Sequence, residues 1–220
     1  MALKTHLIAV TLLAFTISGT ALANDNQNSK RFEADVSQAQ DITIDIPAGQ
    51  VLVVGATGNK LLAEVKASCK QDRKIDRANC ESVLNDLGWS NKMGKGAALS
   101  LIPNKITRYN DIQIDIKISV PNDKPLNIIQ AAGELSIEGT SACLNANLNA
   151  GQLNLKLKES ELGSAELHAK VGDAKLTDVR GQTRSGERSL LVGANLSHKG
   201  NGSCSAKADV MAGEVHLTLY

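Results

Sequence analysis

The chain has 220 residues, with 24 Lys and Arg against 23 Asp and Glu and only 2% aromatics. It is long enough to bury one core, which must be built from aliphatic residues and alanine. With Lys4 assigned to a targeting segment, the 24 basic residues fall to 23 and the net charge to zero, which excludes the basic surplus of a nucleic-acid or anionic-membrane binder.

Residues 1–23 read as a secretory signal peptide. Lys4 and His6 precede an apolar run from Leu7 to Phe15, interrupted only by Thr11 and extended to Ile17. Small residues follow, and Ala21-Leu22-Ala23 supplies the A-x-A site, so cleavage is expected between Ala23 and Asn24. A spanning helix would need about 20 apolar residues, more than this run holds. No cysteine stands at the cut and no arginine pair precedes the run, which argues against a lipoprotein and a twin-arginine substrate. Residues 24–31, polar and unpatterned, are expected to form a flexible leader ahead of one domain over residues 32–220.

The first patterned stretch, residues 32–68, reads as strands. Ile42, Ile44, Ile46 and Ala48 lead to Gly49, and Val51 and Val53 follow at alternate positions. Near residues 70–88 the character changes. The segment is charged, lacks glycine before Gly88, and places Val83, Leu84 and Leu87 at helical spacing, which predicts one short helix. Strands are expected to resume near Ala97, after Gly94 and Gly96. Ile112, Ile114, Ile116, Ile118 and Val120 form the clearest alternation in the chain, and Pro121 to Pro125 makes a turn.

From there the Gly49 pattern returns. Gly133, Gly151, Gly172, Gly193 and Gly213 lie 18, 21, 21 and 20 residues apart. Around Gly151, Leu144, Ala146, Leu148 and Ala150 precede, and Leu153, Leu155 and Leu157 follow. Gly172 and Gly213 repeat this frame. The Gly133 copy has Gln130 in an apolar slot, and the Gly193 copy slips phase at Ala194 and Leu196. Alternation of this kind marks strands with one buried face, and the glycine between two strands supplies a bend. Near-constant spacing predicts an all-β fold, a single β-solenoid of stacked coils of about 20 residues with glycine bends. A sandwich or barrel of hairpins is the competing architecture. Inward alanines such as Ala146, Ala169 and Ala208 imply a narrow core.

The succession Ile46-Pro47-Ala48-Gly49-Gln50-Val51, then Val120-Pro121, then the A-G-E-L, A-G-Q-L, V-G-D-A and A-G-E-V units resembles a bacterial family of exported domains, the putative adhesins of unknown function. The likeness covers about residues 32–219. It implies a single β-solenoid behind a signal peptide, tied to the cell envelope, with no catalytic residues to carry over. The segment from Lys70 to Leu87 departs from that plain repeat.

Four cysteines in an exported chain are expected to be bridged. Cys69 and Cys80 bracket the charged excursion, and a bridge there would stabilise by about 3 kcal/mol. Cys143 and Cys204 remain by elimination, yet sequential stacking would set them three coils apart, roughly 14 Å at about 4.8 Å per strand. A disulfide needs Cα atoms within about 7 Å. Either the coils are not stacked in sequence order or this pair does not form. His168, His198 and His216 are a conceivable metal set, but differing offsets from their glycines favour solvated positions, and no metal or cofactor is predicted. Glu134, Asp173 and Glu214, each directly after its glycine, would stack on one face as the carboxylates of sugar-acting solenoid enzymes do. Gln50 and Gln152 occupy the same slot, so a plain solvated face is the simpler reading. Arg180, Arg184 and Arg188 mark a basic turn that would suit an anion.

The expected function is therefore a non-enzymatic envelope protein, periplasmic or extracellular, presenting a rigid β-surface to a protein or an envelope polymer. A β-helical polysaccharide-acting enzyme and an envelope-stress-linked binding component are the alternatives. The last strand, reaching Leu219 beside Tyr220, is a further expected point of strand-edge association.

Overall fold

The computed structural model describes residues 27–70, 76–102, 111–189 and 192–220. The expected signal peptide, its cleavage point at Ala23 and Asn24, and the start of the expected leader lie outside the described residues. The strands are β1 (Gln27–Asp35), β2 (Asp41–Ala56), β3 (Lys60–Cys69), β4 (Gly88–Lys92), β5 (Gly96–Ile102), β6 (Ile112–Pro121) and β7 (Leu126–Glu138). They continue with β8 (Leu144–Leu157), β9 (Leu162–Thr177), β10 (Thr183–Ser185), β11 (Glu187–Ser189), β12 (Gly193–Lys199) and β13 (Cys204–Leu219). Among the described residues one α-helix, α1 (Arg77–Asp86), falls in the charged excursion, where Asp76 caps it by accepting from the Asn79 amide at 3.2 Å.

The fold is mostly β, in one mixed 13-stranded sheet ordered β1-β3-β6-β2-β7-β8-β13-β9-β12-β11, with β4, β5 and β10 paired off this path. Five long strands, β2, β7, β8, β13 and β9, run parallel and in register, and each bends at its glycine. Gly49 pairs with Gly133, Gly133 with Gly151, Gly151 with Gly213, and Gly213 with Gly172. All five glycines have positive φ, from 117° to 141°, a region that L side chains resist. Crowding adds a second reason. A Cβ on Gly151 would run into the carbonyl of Gly133, and one on Gly213 into that of Gly151.

The bend turns both limbs of each strand onto one core. Before the corner the buried rows include Ile44, Ile128, Ala146, Ala208 and Leu167; after it they include Val51, Leu135, Leu153, Val215 and Ala174. Small residues in three of the five parallel strands let the limbs approach closely, as the inward alanines imply. The parallel stack ends in antiparallel pairs on both flanks, β3 with β6 and β1 on one side, β12 and β10 with β9 on the other. Short or paired flanks of this kind limit the exposed parallel edge.

Several expectations are corrected. Residues 27–31, assigned to the flexible leader, pair in β1 with Ser68 to Glu64 of β3. They carry no alternating apolar pattern, so their strand character comes from the partner. The stack does not follow sequence order, because β13 lies between β8 and β9. Gly193 is not a fifth corner of the expected repeat series: it opens β12, which runs antiparallel to β9, and it is absent from the positive-φ glycines. Ala150, Val171 and Ala212, read as inward, are exposed, since at the corner the backbone turns them outward. Gln130, read as an exception, is fully buried in the inward phase, and its amide donates to the carbonyls of Gly49 at 2.9 Å and Ala132 at 2.8 Å. The last strand, expected as an open edge, has partners on both sides.

Candidate functional site

The bend that buries one set of residues projects another outward in rows. Directly after the corner, Gln50, Glu134, Gln152, Glu214 and Asp173 form one row across five strands. The structure thus brings Glu214 and Asp173 onto neighbouring strands, while Gln152 separates Glu134 from them. Glu214 meets Lys175 Nζ at 3.4 Å and Asp173 meets Arg188 Nη2 at 2.8 Å, with side-chain exposures of 52% and 36%. Glu134 accepts from Asn154 Nδ2 at 3.4 Å. Each of these carboxylates is thus met at the surface by a cation or an amide of a neighbouring residue.

The three histidines are not assembled. His168 on β9 shares a 2.9 Å hydrogen bond with Asn195 Oδ1, His198 on β12 accepts from Arg184 at 3.1 Å, and His216 on β13 bonds Thr177 Oγ1 at 2.8 Å. Among the described residues no three of His, Cys, Asp and Glu are placed to hold a metal ion. The basic turn also divides. Arg188 pairs with Asp173, Arg184 donates to Ser197 and His198, and only Arg180 and Arg184 share the rim of a depression of about 490 Å³.

A different surface emerges where the parallel stack meets its antiparallel flank. Two rows cross β1, β3, β6, β2 and β7: Arg31, Glu64, Lys117, Leu52 and Ser136 in one, Ser29, Lys66, Asp115, Gln50 and Glu134 in the other. Charges of opposite sign alternate on neighbouring strands, the favourable arrangement for cross-strand pairs, and Lys66 also reaches Glu64 along its own strand at 3.5 Å. Leu52 and Ser136 are shorter than Lys117 and Glu64 in the same row. The result is a trough of about 450 Å³ with Leu52 in it and Glu64, Lys66, Asp115, Lys117 and Glu134 around it. Sequence reading missed this site because its members come from four segments. The only local signal was Leu52, an apolar residue in an outward slot.

The edge beyond the trough carries the perturbed titrations. Lys60 donates to Glu33 at 2.6 Å, which holds the Glu33 carboxyl below its usual range and the Lys60 ammonium above its own. Hydrogen bonds from Ser37 lower Asp35 in the same way. All three groups are solvated, so these shifts reflect exposed surface contacts.

Both cysteine pairs are bridged. Cys69 and Cys80 tie α1 to β3 with a Cα separation of 6.0 Å, and Cys143 and Cys204 tie the start of β8 to the start of β13 at 4.5 Å. The objection to the second bridge fails because β13 is inserted beside β8, so the two cysteines are neighbours instead of three coils apart. No described helix is long and apolar enough to cross a membrane.

No protein-family model matches the chain, and no curated protein sequence matches it. Among solved structures, a "putative cell adhesion protein" from Clostridium sporogenes is similar in fold, with a TM-score of 0.52 at 11% identity over 88% of this chain and 100% of that one. A "putative adhesin" from Parabacteroides merdae matches at a TM-score of 0.30 and 12% identity, over 89% of this chain and 78% of that one.

Proposed function

We propose that this protein is an exported, non-enzymatic component of the cell envelope, periplasmic or extracellular, whose five bent parallel strands are coils of a β-solenoid and whose outer face binds an envelope protein or polymer. The observation that carries the reading is the outer face itself: in-register rows of polar side chains across five rigid strands, leading into the charged trough around Leu52. Two disulfides suit an oxidising compartment, and the apolar segment before Ala23 supplies the route to it. The fold likeness to the "putative cell adhesion protein" from Clostridium sporogenes supports a binding role.

Co-sedimentation of the purified protein with isolated envelopes tests this. Leu52→Asp combined with Lys117→Glu replaces the apolar residue of the trough and reverses one charge beside it without touching the core. The expected result is a loss of envelope binding of at least about tenfold, equivalent to about 1.4 kcal/mol, with thermal stability lowered only by the lost Glu64–Lys117 cross-strand pair, about 1 kcal/mol. Equal binding by the variant would move the site away from the trough, and no sedimentation of the wild type would remove the adhesion reading.

A further inference from the structure

We propose that β13 is an exchangeable strand: it enters a slot formed by β8 and β9, the same slot accepts the β13 of a second copy of this chain, and the Cys143–Cys204 bridge selects the chain's own strand. This inference does not depend on what the outer face binds.

The strands β8 and β9 follow one another in the chain, yet β13 separates them, making 13 residue pairs with β8 and 14 with β9. When β9 has formed and β13 has not, two long strand edges face each other across two interstrand spacings, about 10 Å. Every backbone group on those edges seeks a partner. The gap opens into the core, because Ala206, Ala208, Val210, Val215, Leu217 and Leu219 are all buried once the strand is in place.

The slot is selective. Its occupant must run parallel to both neighbours and carry glycine at the corner. A Cβ on Gly213 would meet the carbonyl of Gly151, and the Gly213 carbonyl in turn stands where a Cβ of Gly172 would be. Before the corner it must present alanine at two inward positions, Ala206 and Ala208, and after it the larger Val215, Leu217 and Leu219. The other bent strands differ: β8 brings Leu144 and Leu148, and β2 three isoleucines. The segment that satisfies all of these conditions is β13, from the same chain or from a second copy. A swapped pair would keep every contact except those of the connection before Cys204, which makes exchange inexpensive in free energy and dependent on concentration.

The bridge then decides between the two. Two thiols, Cys143 and Cys204, give up two electrons and two protons to a disulfide oxidant of the exported compartment, which leaves as two thiols, and the new S–S bond pins the first residue of β13 beside its own β8.

The test uses the full chain and a synthetic peptide of residues 204–220. Wild-type protein is reduced, unfolded in urea and refolded with oxidised glutathione and excess peptide, and a Cys204→Ser chain is treated identically. Mass spectrometry then reads the peptide disulfide-linked to Cys143. Capture by both chains is expected, strongest in Cys204→Ser, with a peptide carrying Gly213→Val captured at least about tenfold less because its side chain must enter backbone. Wild type left bridged should capture none, and a Cys143→Ser/Cys204→Ser chain should show a dimer fraction that rises with concentration in light scattering. Equal capture of the two peptides would reduce the effect to thiol chemistry and overturn the proposal. Absence of capture by refolded wild type, or a doubly substituted chain that stays monomeric at every concentration, would overturn it as well.

Discussion

Glycine at the corner is required twice over, by positive φ and by the neighbouring carbonyl, and the two demands fall on the same five residues. Gly151→Ala should therefore cost at least about 3 kcal/mol of stability in urea unfolding. Gly94→Ala, where an added Cβ meets nothing within 4 Å, should be close to neutral. Both substitutions add one methyl group, so the difference isolates the corner. At the edge of the sheet, Glu33 and Lys60 make a second residue-level prediction. Because the Glu33 pKa is lowered on folding, its contribution is present above the ordinary carboxylate range and lost as the pH falls through the lowered value. Lys60 is raised, so its contribution persists below the ordinary lysine range and is lost as the pH climbs through the raised value. An NMR titration should place the Glu33 midpoint below that of an unpaired glutamate, and Lys60→Ala should move it up; an unmoved midpoint would discard the pairing. Gln130 shows how a polar residue occupies an apolar slot. Its amide hydrogens satisfy two corner carbonyls, which alternation counted by side-chain type has no means to reveal.

At the scale of elements, the inserted strand explains why two disulfides of similar chemistry differ in consequence. Cys69 and Cys80 are separated by 11 residues, Cys143 and Cys204 by 61. In the chain-entropy model the first contributes about 3 kcal/mol and the second about 4, and the second also holds a central strand rather than a flank. Replacing Cys143 and Cys204 by alanine should lower the urea midpoint more than replacing Cys69 and Cys80, and the opposite order would contradict the insertion of β13 as a central element. The helix was legible because Leu84 and Leu87 stand at helical spacing and both are buried, Leu87 as the extended cap just past the last turn. Strand β4 was not. Gly88 to Lys92 has no alternating apolar pattern, and it is a strand because β5 pairs with it and Trp89 Nε1 reaches the carbonyl of Lys30 at 3.2 Å.

For the whole molecule, order is expected to decrease from the middle of the parallel stack outward. β7, β8 and β13 have neighbours along both edges, whereas β10 and β11 are three residues long and pair on one side. Native-state hydrogen exchange should show the slowest amides in those three central strands and fast exchange in β10 and β11. Uniform protection would mean that the flanks fold as one unit with the centre. The same geometry places the candidate binding trough at the junction of stack and flank, where strands from both meet. Of the polar residues singled out in the sequence, Glu134 and Gln50, which share the slot after the corner glycine, border it. The rest of the trough was hidden because charged residues alternate on every solvated strand, and only the pairing of β3, β6, β2 and β7 brings these particular ones together.

What the amino-acid order determined by itself is local: a period of two, the phase slip at each glycine, the turn after Pro121 and the helical spacing before Leu87. Each follows from forces acting over a few residues, side-chain burial on alternate sides of a strand and the steric freedom of glycine. The tertiary structure decided which strand lies beside which. Every bent strand offers the same backbone edge and a similar apolar face, so pairing is settled by the fit of particular side chains and corner glycines across the gap. That fit set β13 between β8 and β9, made β12 antiparallel instead of another coil, and brought Cys143 to Cys204.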